Sequence, residues 1–376
     1  MSTHTLPNPL PAPNISDATR ERIFSPLRFR GGRQAQNRLW LAPLTNQSSH
    51  DDGSLSDDEL GFLEARAAGG FSVIESCATH VALDGQGWPG EFGIFDDRLI
   101  GDWKRVADAV HAHDALLIPQ IFHAGERANT EASGQQAWSA SAHAERDVRA
   151  ATEEDIARVI DDFAQATRRA FEAGADGVEL HGAHGYLLCQ FLSHTRNART
   201  DRWGGSLQGR SRLIREVMQA CRAQVPDDFI IGVRLSPEDF GSTIGIDIDE
   251  SIQTARWLVD DGAQFIHISL WDVFQPSKKY PDTHPLTLFR EALPGDIPLI
   301  TAGHIWSLDD ALVTLERGAD AIALGRSAIA NPDWPRQARQ PDFEPRRPPL
   351  SPEELRDRAL GPVFVNYMRN WKGFVS

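Results

Sequence analysis

Cysteine is scarce in this chain, three in 376 residues, at positions 77, 189 and 221. So few, so widely spaced, build neither a disulfide framework nor a Cys-rich metal site. Long hydrophobic runs are missing as well; none approaches the roughly 18 apolar residues that suggest a membrane span. Basic charge is in deficit, with 38 Lys and Arg against 53 Asp and Glu, for a net −15. A field of that sign repels nucleic acid and anionic lipid, so small molecules are the expected partners. The opening residues, MSTHTLPNPLPAPN, lack the basic and apolar segments of a secretory signal, which makes the cytoplasm the expected location.

What is present is regular. With 41% hydrophobic and 24% charged residues, the chain has enough apolar content for a sizeable core. Residues 1–22 read as a loose arm, the first part rich in Pro and Asn. Apolar runs then recur at residues 37–43, 71–76, 115–121, 177–180, 229–235, 265–270, 298–303 and 321–326. Amphipathic segments separate most of them. One such segment opens on Thr152-Glu153-Glu154-Asp155, which resembles a capping box, and stops at Gly174. The alternation predicts a single α/β domain, a (β/α)8 barrel over residues 23–340, with a loop insertion at 125–151 and a C-terminal extension over 341–376. A doubly wound open sheet gives the same alternation. Polar residues at the strand ends favour the barrel, where all such ends converge on one mouth.

Those strand ends supply Thr45, Ser76, Gln120, His181, His184, Arg234, Gly303, Gly325 and Arg326. Gly303 and Gly325 close consecutive late strands, where backbone N–H groups can approach an anion and Arg326 adds a cation. Either glycine alone reads as a turn; the pair favours a phosphate site. Gln120, after Pro119 in an apolar strand, needs partners for its amide, from protein or from a planar heterocycle. Arg234, between Val233 and Leu235, needs an acceptor, either a structural carboxylate or the electron-rich edge of a flavin ring. His181 and His184 have three readings: core histidines, metal ligands, or donors to a substrate oxygen. Arg234 on the neighbouring strand is a cation beside the supposed metal and argues against the second. Tyr186 is a neutral phenol that can give a proton to a developing carbanion, or simply packs at the mouth.

Several longer motifs join these residues: Ala42-Pro43-Leu44-Thr45, Gly85-Gln86-Gly87, Pro119-Gln120, HGAHGYLLCQFLS from His181, RTDRWGGS from Arg199, and Leu324-Gly325-Arg326. Carrying them, the chain resembles the old yellow enzyme family of FMN-dependent ene reductases from about Ile23 to about Trp334. The resemblance implies FMN as cofactor and NADPH or NADH as reductant. It implies that Pro43, Leu44 and Thr45 lie against the flavin and that the Ser76 backbone and the Gln120 side chain hold its pyrimidine edge. Arg234 would stabilise the reduced ring, and Gly303, Gly325 and Arg326 would bind the phosphate. His181 and His184 would hold the carbonyl of an α,β-unsaturated substrate while Tyr186 supplies the proton, in a ping-pong cycle with hydride passing through flavin N5.

Three departures from the family pattern bear on the site. Thr45 stands where one branch has Cys, and Gln47 where that branch has a substrate-side Tyr. Trp203 replaces the Tyr of a YGGS motif, a surface or loop change expected to be mild. Cys77 and Cys189 lie close to the expected site without any sign of reactivity. The tail around Tyr367-Met368-Arg369-Asn370-Trp371 resembles tails that reach a neighbouring subunit, which makes Arg369 a candidate intersubunit finger in a homo-oligomer. Two alternatives remain at this stage: an FMN-dependent dehydrogenase that oxidises its organic substrate, and a metal-dependent barrel hydrolase using His181 and His184.

Overall fold

In the computed structural model, which describes residues 9–376, eight parallel strands close on themselves. They are β1 (Leu39–Leu41), β2 (Val73–His80), β3 (Leu116–Phe122), β4 (Gly177–Gly182), β5 (Ile230–Leu235), β6 (Phe265–Ser269), β7 (Leu299–Ala302) and β8 (Ala321–Leu324). Each pairs with the next, and β8 pairs with β1 through Ile322–Leu39 and Leu324–Leu41. Strands covered on both faces have no polar side to show, so the sequence reads as apolar runs rather than as alternation. The barrel expected from the sequence is present, and the open sheet is excluded by the closure.

Helices α1 (Asp57–Ala68), α2 (Ile100–His111), α3 (Glu153–Glu172), α4 (Arg212–Arg222), α5 (Ile248–Asp260), α6 (Pro285–Ala292) and α7 (Leu308–Glu316) follow successive strands from β1 to β7. A short α8 (Arg326–Ala330) starts directly behind β8. The longest, α3, buries Ile156, Val159, Phe163, Thr167 and Ala170, one stripe at helical spacing. Its start is the capping box read from the sequence: Asp155 N–H donates to Thr152 Oγ1, and Thr152 N–H to the Asp155 carboxylate. Ser307 and Asp310 repeat the device at α7.

The closed end of the barrel is packed by aromatics. Trp40 and Phe265 meet edge to face with centroids 5.3 Å apart, and Phe29 approaches both from the two-residue ladder Leu27–Arg28 with Gln34–Ala35. Six of the eight N-terminal arm residues after position 14 are helical, Asp17–Arg22, where Thr19 and Ser16 hydrogen-bond Glu316 of α7. The arm's residues 1–8 lie outside the described residues.

Residues 125–151 carry a small insertion, as their length suggested: a short helix, Thr130–Ser133, and a two-residue ladder of Trp138–Ser139 with Arg149–Ala150. The tail returns over the open mouth. Leu355, Phe364, Met368 and Phe374 sink into the main core, and Phe364 packs edge to face on Phe62 of α1 at 5.1 Å. Among the described residues no helix is long and apolar enough to cross a membrane.

Two local expectations are corrected. The second strand does not stop at Ser76 but runs to His80, with a register shift against β3 between Glu75 and Ala78. Trp203 is not a surface residue: it is 1% exposed and its indole N–H donates to Glu153 at 2.9 Å, tying the 199–206 loop to the first turn of α3.

Candidate active site

The carboxyl ends of the strands surround two adjoining cavities, of about 440 and 210 Å3. Pro43, Leu44, His184, Arg234 and Arg326 line both, so they are compartments of one site. The larger also takes in Thr45, Gln120, His181 and Tyr186. The smaller ends at Gly303 and Gly325. Ser76 lies apart: the register shift turns it into the wall, where its hydroxyl donates to Cys77 C=O and accepts Gln120 N–H, and Ala78 faces the cavity in its place.

The histidine pair sits at the end of β4. His181 Nδ1 accepts the Ala183 N–H at 3.2 Å, so the proton of the neutral ring is on Nε2. His184 has a left-handed backbone, φ 60°, which turns its ring back against His181, centroids 4.9 Å apart and nearly perpendicular. Its Nε2 lies 2.6 Å from Ser269 Oγ, and Ser269 Oγ also accepts from Arg234 Nη2 at 3.1 Å. Arginine has no acceptor, so the Ser269 proton is free for His184 Nε2; we assign the His184 N–H to Nδ1 on that ground, the tautomer that uses the proton. Burial keeps both rings well below the ordinary imidazole range, reinforced at His181 by His184 and then Arg234, and at His184 by Arg234. They are neutral donors, not imidazolium ions.

Tyr186 packs edge to face on His181 and on Phe122, both at 5.0 Å, with the Arg127 guanidinium 4.5 Å over its ring. Burial raises its pKa, so the phenol keeps its proton at neutral pH. Gln120 donates from Nε2 to Glu179 at 2.6 Å, which leaves its carbonyl oxygen as the free end. Arg234 is 6% exposed, with no partner for its Nε.

At the smaller cavity Arg326 is half-buried, with burial alone lowering its pKa and no carboxylate opposing it. The Ser327 hydroxyl beside it is buried and unpartnered. A Cβ at Gly303, φ +152°, would stand 2.3 Å from Leu270 C=O, so the chain passes there only as glycine. A cation lacking its anion, an orphan hydroxyl and the free first-turn N–H groups of α8 are the donor set of a phosphate site.

Across residues 22–342 the chain matches the family model described as the NADH:flavin oxidoreductase / NADH oxidase family. The chain belongs to that family, the old yellow enzymes. It is therefore an FMN-dependent NAD(P)H oxidoreductase. A probable NADH-dependent flavin oxidoreductase of Bacillus subtilis is 37% identical over 322 residues, 83% of this chain and 86% of that one. A putative 12-oxophytodienoate reductase 4 of Oryza sativa is 33% identical over 81% of this chain and 82% of its own length. The solved old yellow enzyme homologue of Zymomonas mobilis superposes with a TM-score of 0.78 at 29% identity, covering 89% of this chain and 96% of that one.

Old yellow enzyme chemistry needs a long cleft with an anion site at one end and donors and acceptors for a flat ring at the other. The two compartments, the orphaned Ser327 and Arg234 atoms and the free Gln120 carbonyl fit FMN on both counts. A metal reading of the histidine pair finds less: among the described residues the only trio of potential ligands is Glu75, Glu179 and His267, which omits both His181 and His184. None of the cysteines is poised to react. Cys77 and Cys189 are buried, burial raises both thiols, and Cys189 is pushed up to about 11.

Several residues at this mouth were not singled out in the sequence. Ser269 is the last residue of β6, and its position at a strand end was the available signal. Arg127 lies in the 125–151 insertion, and only the folded loop brings it over Tyr186. Tyr367, Met368 and Trp371 of the tail line their own chain's cavity, with the Arg326 guanidinium 5.1 Å over the Trp371 ring and Trp271 6.2 Å from it at an interplanar angle of 29°. Arg369, between them, is exposed.

Proposed function

We propose that this enzyme reduces the C=C bond of α,β-unsaturated carbonyl compounds at the expense of NADH or NADPH, the two substrates taking turns in one cavity. The observation that carries the reading is the pair of neutral imidazole donors beside a protonated phenol, in the same compartment as Gln120 and Arg234. Pro43, Leu44 and Thr45 would hold the isoalloxazine, with Gln120 and Arg234 on its pyrimidine edge. Gly303, Gly325, Arg326 and Ser327 would bind its phosphate. Bound there, FMN supplies hydride transfer from the nicotinamide and to the β-carbon of the enone.

His181 Nε2–H and His184 Nδ1–H take the substrate carbonyl. Neutral donors in a buried site stabilise the negative charge that grows on that oxygen without any proton being lost from the protein. Tyr186 holds the proton that the α-carbon requires, and its raised pKa keeps the phenol loaded at neutral pH. Arg127 over the ring lowers the cost of the phenolate left behind. Arg369 would act on a second copy, as an intersubunit finger; a fully active monomer at micromolar concentration would remove that role.

The test is an anaerobic visible spectrum titrated with NADPH or NADH and then with 2-cyclohexenone. Yellow protein that bleaches with the nicotinamide and recovers its colour with the enone supports the reading. Bleaching without recovery overturns the substrate class.

A further inference from the structure

Below the mouth, one layer down in the barrel, three ionisable side chains meet out of reach of bulk solvent. Glu75 of β2, Glu179 of β4 and His267 of β6 are each 1% exposed or less. One oxygen of each carboxylate and a ring nitrogen of the histidine lie within 4.8 Å of one another. Glu179 is well supplied: Gln120 Nε2 donates to one oxygen at 2.6 Å, and His267 Nδ1 stands 2.8 Å from the other. Glu75 is not. Neither of its oxygens has a donor, and His267 Nδ1 is 3.7 Å away and already turned to Glu179.

A buried carboxylate with no donor is strongly disfavoured, and a second carboxylate beside it adds repulsion. Both problems vanish if Glu75 carries a proton: it becomes an O–H donor and Glu179 is the acceptor at hand. Burial and then Glu179 push Glu75 well above the usual carboxylate range; for Glu179 burial is outweighed by His267 and Arg234, which hold it below. The register places this pair directly under the site. Glu179 is the β-partner of Gln120, and His267 that of Arg234.

We infer that Glu75 is a neutral acid at working pH and that the Glu75–Glu179 pair, holding one proton between two carboxyls, is a positioning site for the cofactor's pyrimidine edge. Glu179 takes the Gln120 N–H, so the amide carbonyl must face the cavity as an acceptor. It also sets a single negative charge, not two, against Arg234. Reduced FMN, which brings negative charge of its own, then meets a layer whose charge is balanced. This rests on the proposed placement of FMN against Gln120 and Arg234.

The experiment has a vibrational arm and an electrochemical arm, both on the full-length holoenzyme. Isotope-edited infrared difference spectra of protein carrying 13C-glutamate, whose shifted bands stand apart from flavin carbonyls, should show at pH 7 a protonated-glutamate band, separate from any due to buried Glu59 and Glu91, that is lost in Glu75→Gln and kept in Glu59→Gln and Glu91→Gln. Absence of that band, or its survival in Glu75→Gln, overturns the proton assignment whether or not other variants fold. In the second arm, Glu179→Gln should raise the affinity for reduced over oxidised FMN at least tenfold, about 30 mV for a two-electron couple. Glu75→Gln should change that ratio less than twofold. Equal shifts in the two variants, or none in Glu179→Gln, overturn the charge assignment. Gln120→Leu separates this from the placement of FMN: unchanged FMN affinity there means that the placement is wrong, while the infrared result still decides where the proton is.

Discussion

Ser269 offers a sharp perturbation, because one hydroxyl holds two site residues at once. Its Oγ lies 2.6 Å from His184 Nε2 and 3.1 Å from Arg234 Nη2. Ser269→Ala removes both bonds and leaves buried polar groups unpaired, at about 1–3 kcal/mol for such a loss. Part of that falls on folding stability. The part that matters for function falls on His184, whose Nδ1–H depends on Ser269 satisfying Nε2. Without the hydroxyl the two tautomers compete, and one of the carbonyl donors is weakened by about 1.4 kcal/mol, or about tenfold in affinity. Phenols, which present an enolate-like oxygen, should therefore bind about tenfold more weakly to Ser269→Ala. The assay is a titration of the oxidised holoenzyme with a phenol, followed in the flavin visible spectrum, with thermal melts to confirm folding. Ser269→Thr, which keeps the hydroxyl, should recover most of the affinity. Phenol affinity unchanged in a folded, FMN-bound Ser269→Ala protein would refute the tautomer argument.

Tyr186→Phe should leave bleaching by the nicotinamide near the parent rate and slow recolouring by an enone about a hundredfold or more, the usual worth of a positioned acid; rapid mixing resolves the two, and equal rates throughout would remove Tyr186 as donor. Arg326→Ala should weaken FMN binding about tenfold to a hundredfold, as expected for a charge-assisted bond, yet leave riboflavin binding unaltered, since riboflavin has no phosphate; fluorescence titration with both ligands checks it. Acid should destabilise the fold early. Burial lowers His80 to about 3 and His284 to about 4, so below about pH 6.5 the unfolded chain takes up protons that the folded one refuses. Each site then costs about 1.4 kcal/mol per pH unit until its folded pKa is reached. Urea melts at pH 7 and 5.5 should show the loss, and His284→Gln should reduce it; a melt insensitive to pH over that range would count against buried neutral histidines.

Much of the barrel was legible in the sequence because its signals are local. Strands buried on both faces must be apolar runs, and a capping box such as Thr152 with Asp155 needs only residues three apart. Polar residues that end such runs, Gln120, His181, Arg234 and Arg326, were legible for the same reason: in a closed parallel sheet every strand end meets at one mouth. The motifs they stand in carried the family.

What the sequence could not decide were the relations between strands. A register shift of β2 puts Ala78 rather than Ser76 on the cavity, and no local pattern announces a shift that depends on the neighbouring strand. Glu75, Glu179 and His267 each sit in an apolar run far apart in sequence, so that two carboxylates and an imidazole share one buried layer only once the barrel closes. The tail is the same case at larger scale. Its aromatic residues could cover their own mouth or a neighbour's, and the apolar core that receives Phe364 and Met368 places them over their own. Composition and periodicity determine which residues must be buried; the packing of the closed barrel decides which of them meet, and therefore where the protons and charges of the site reside.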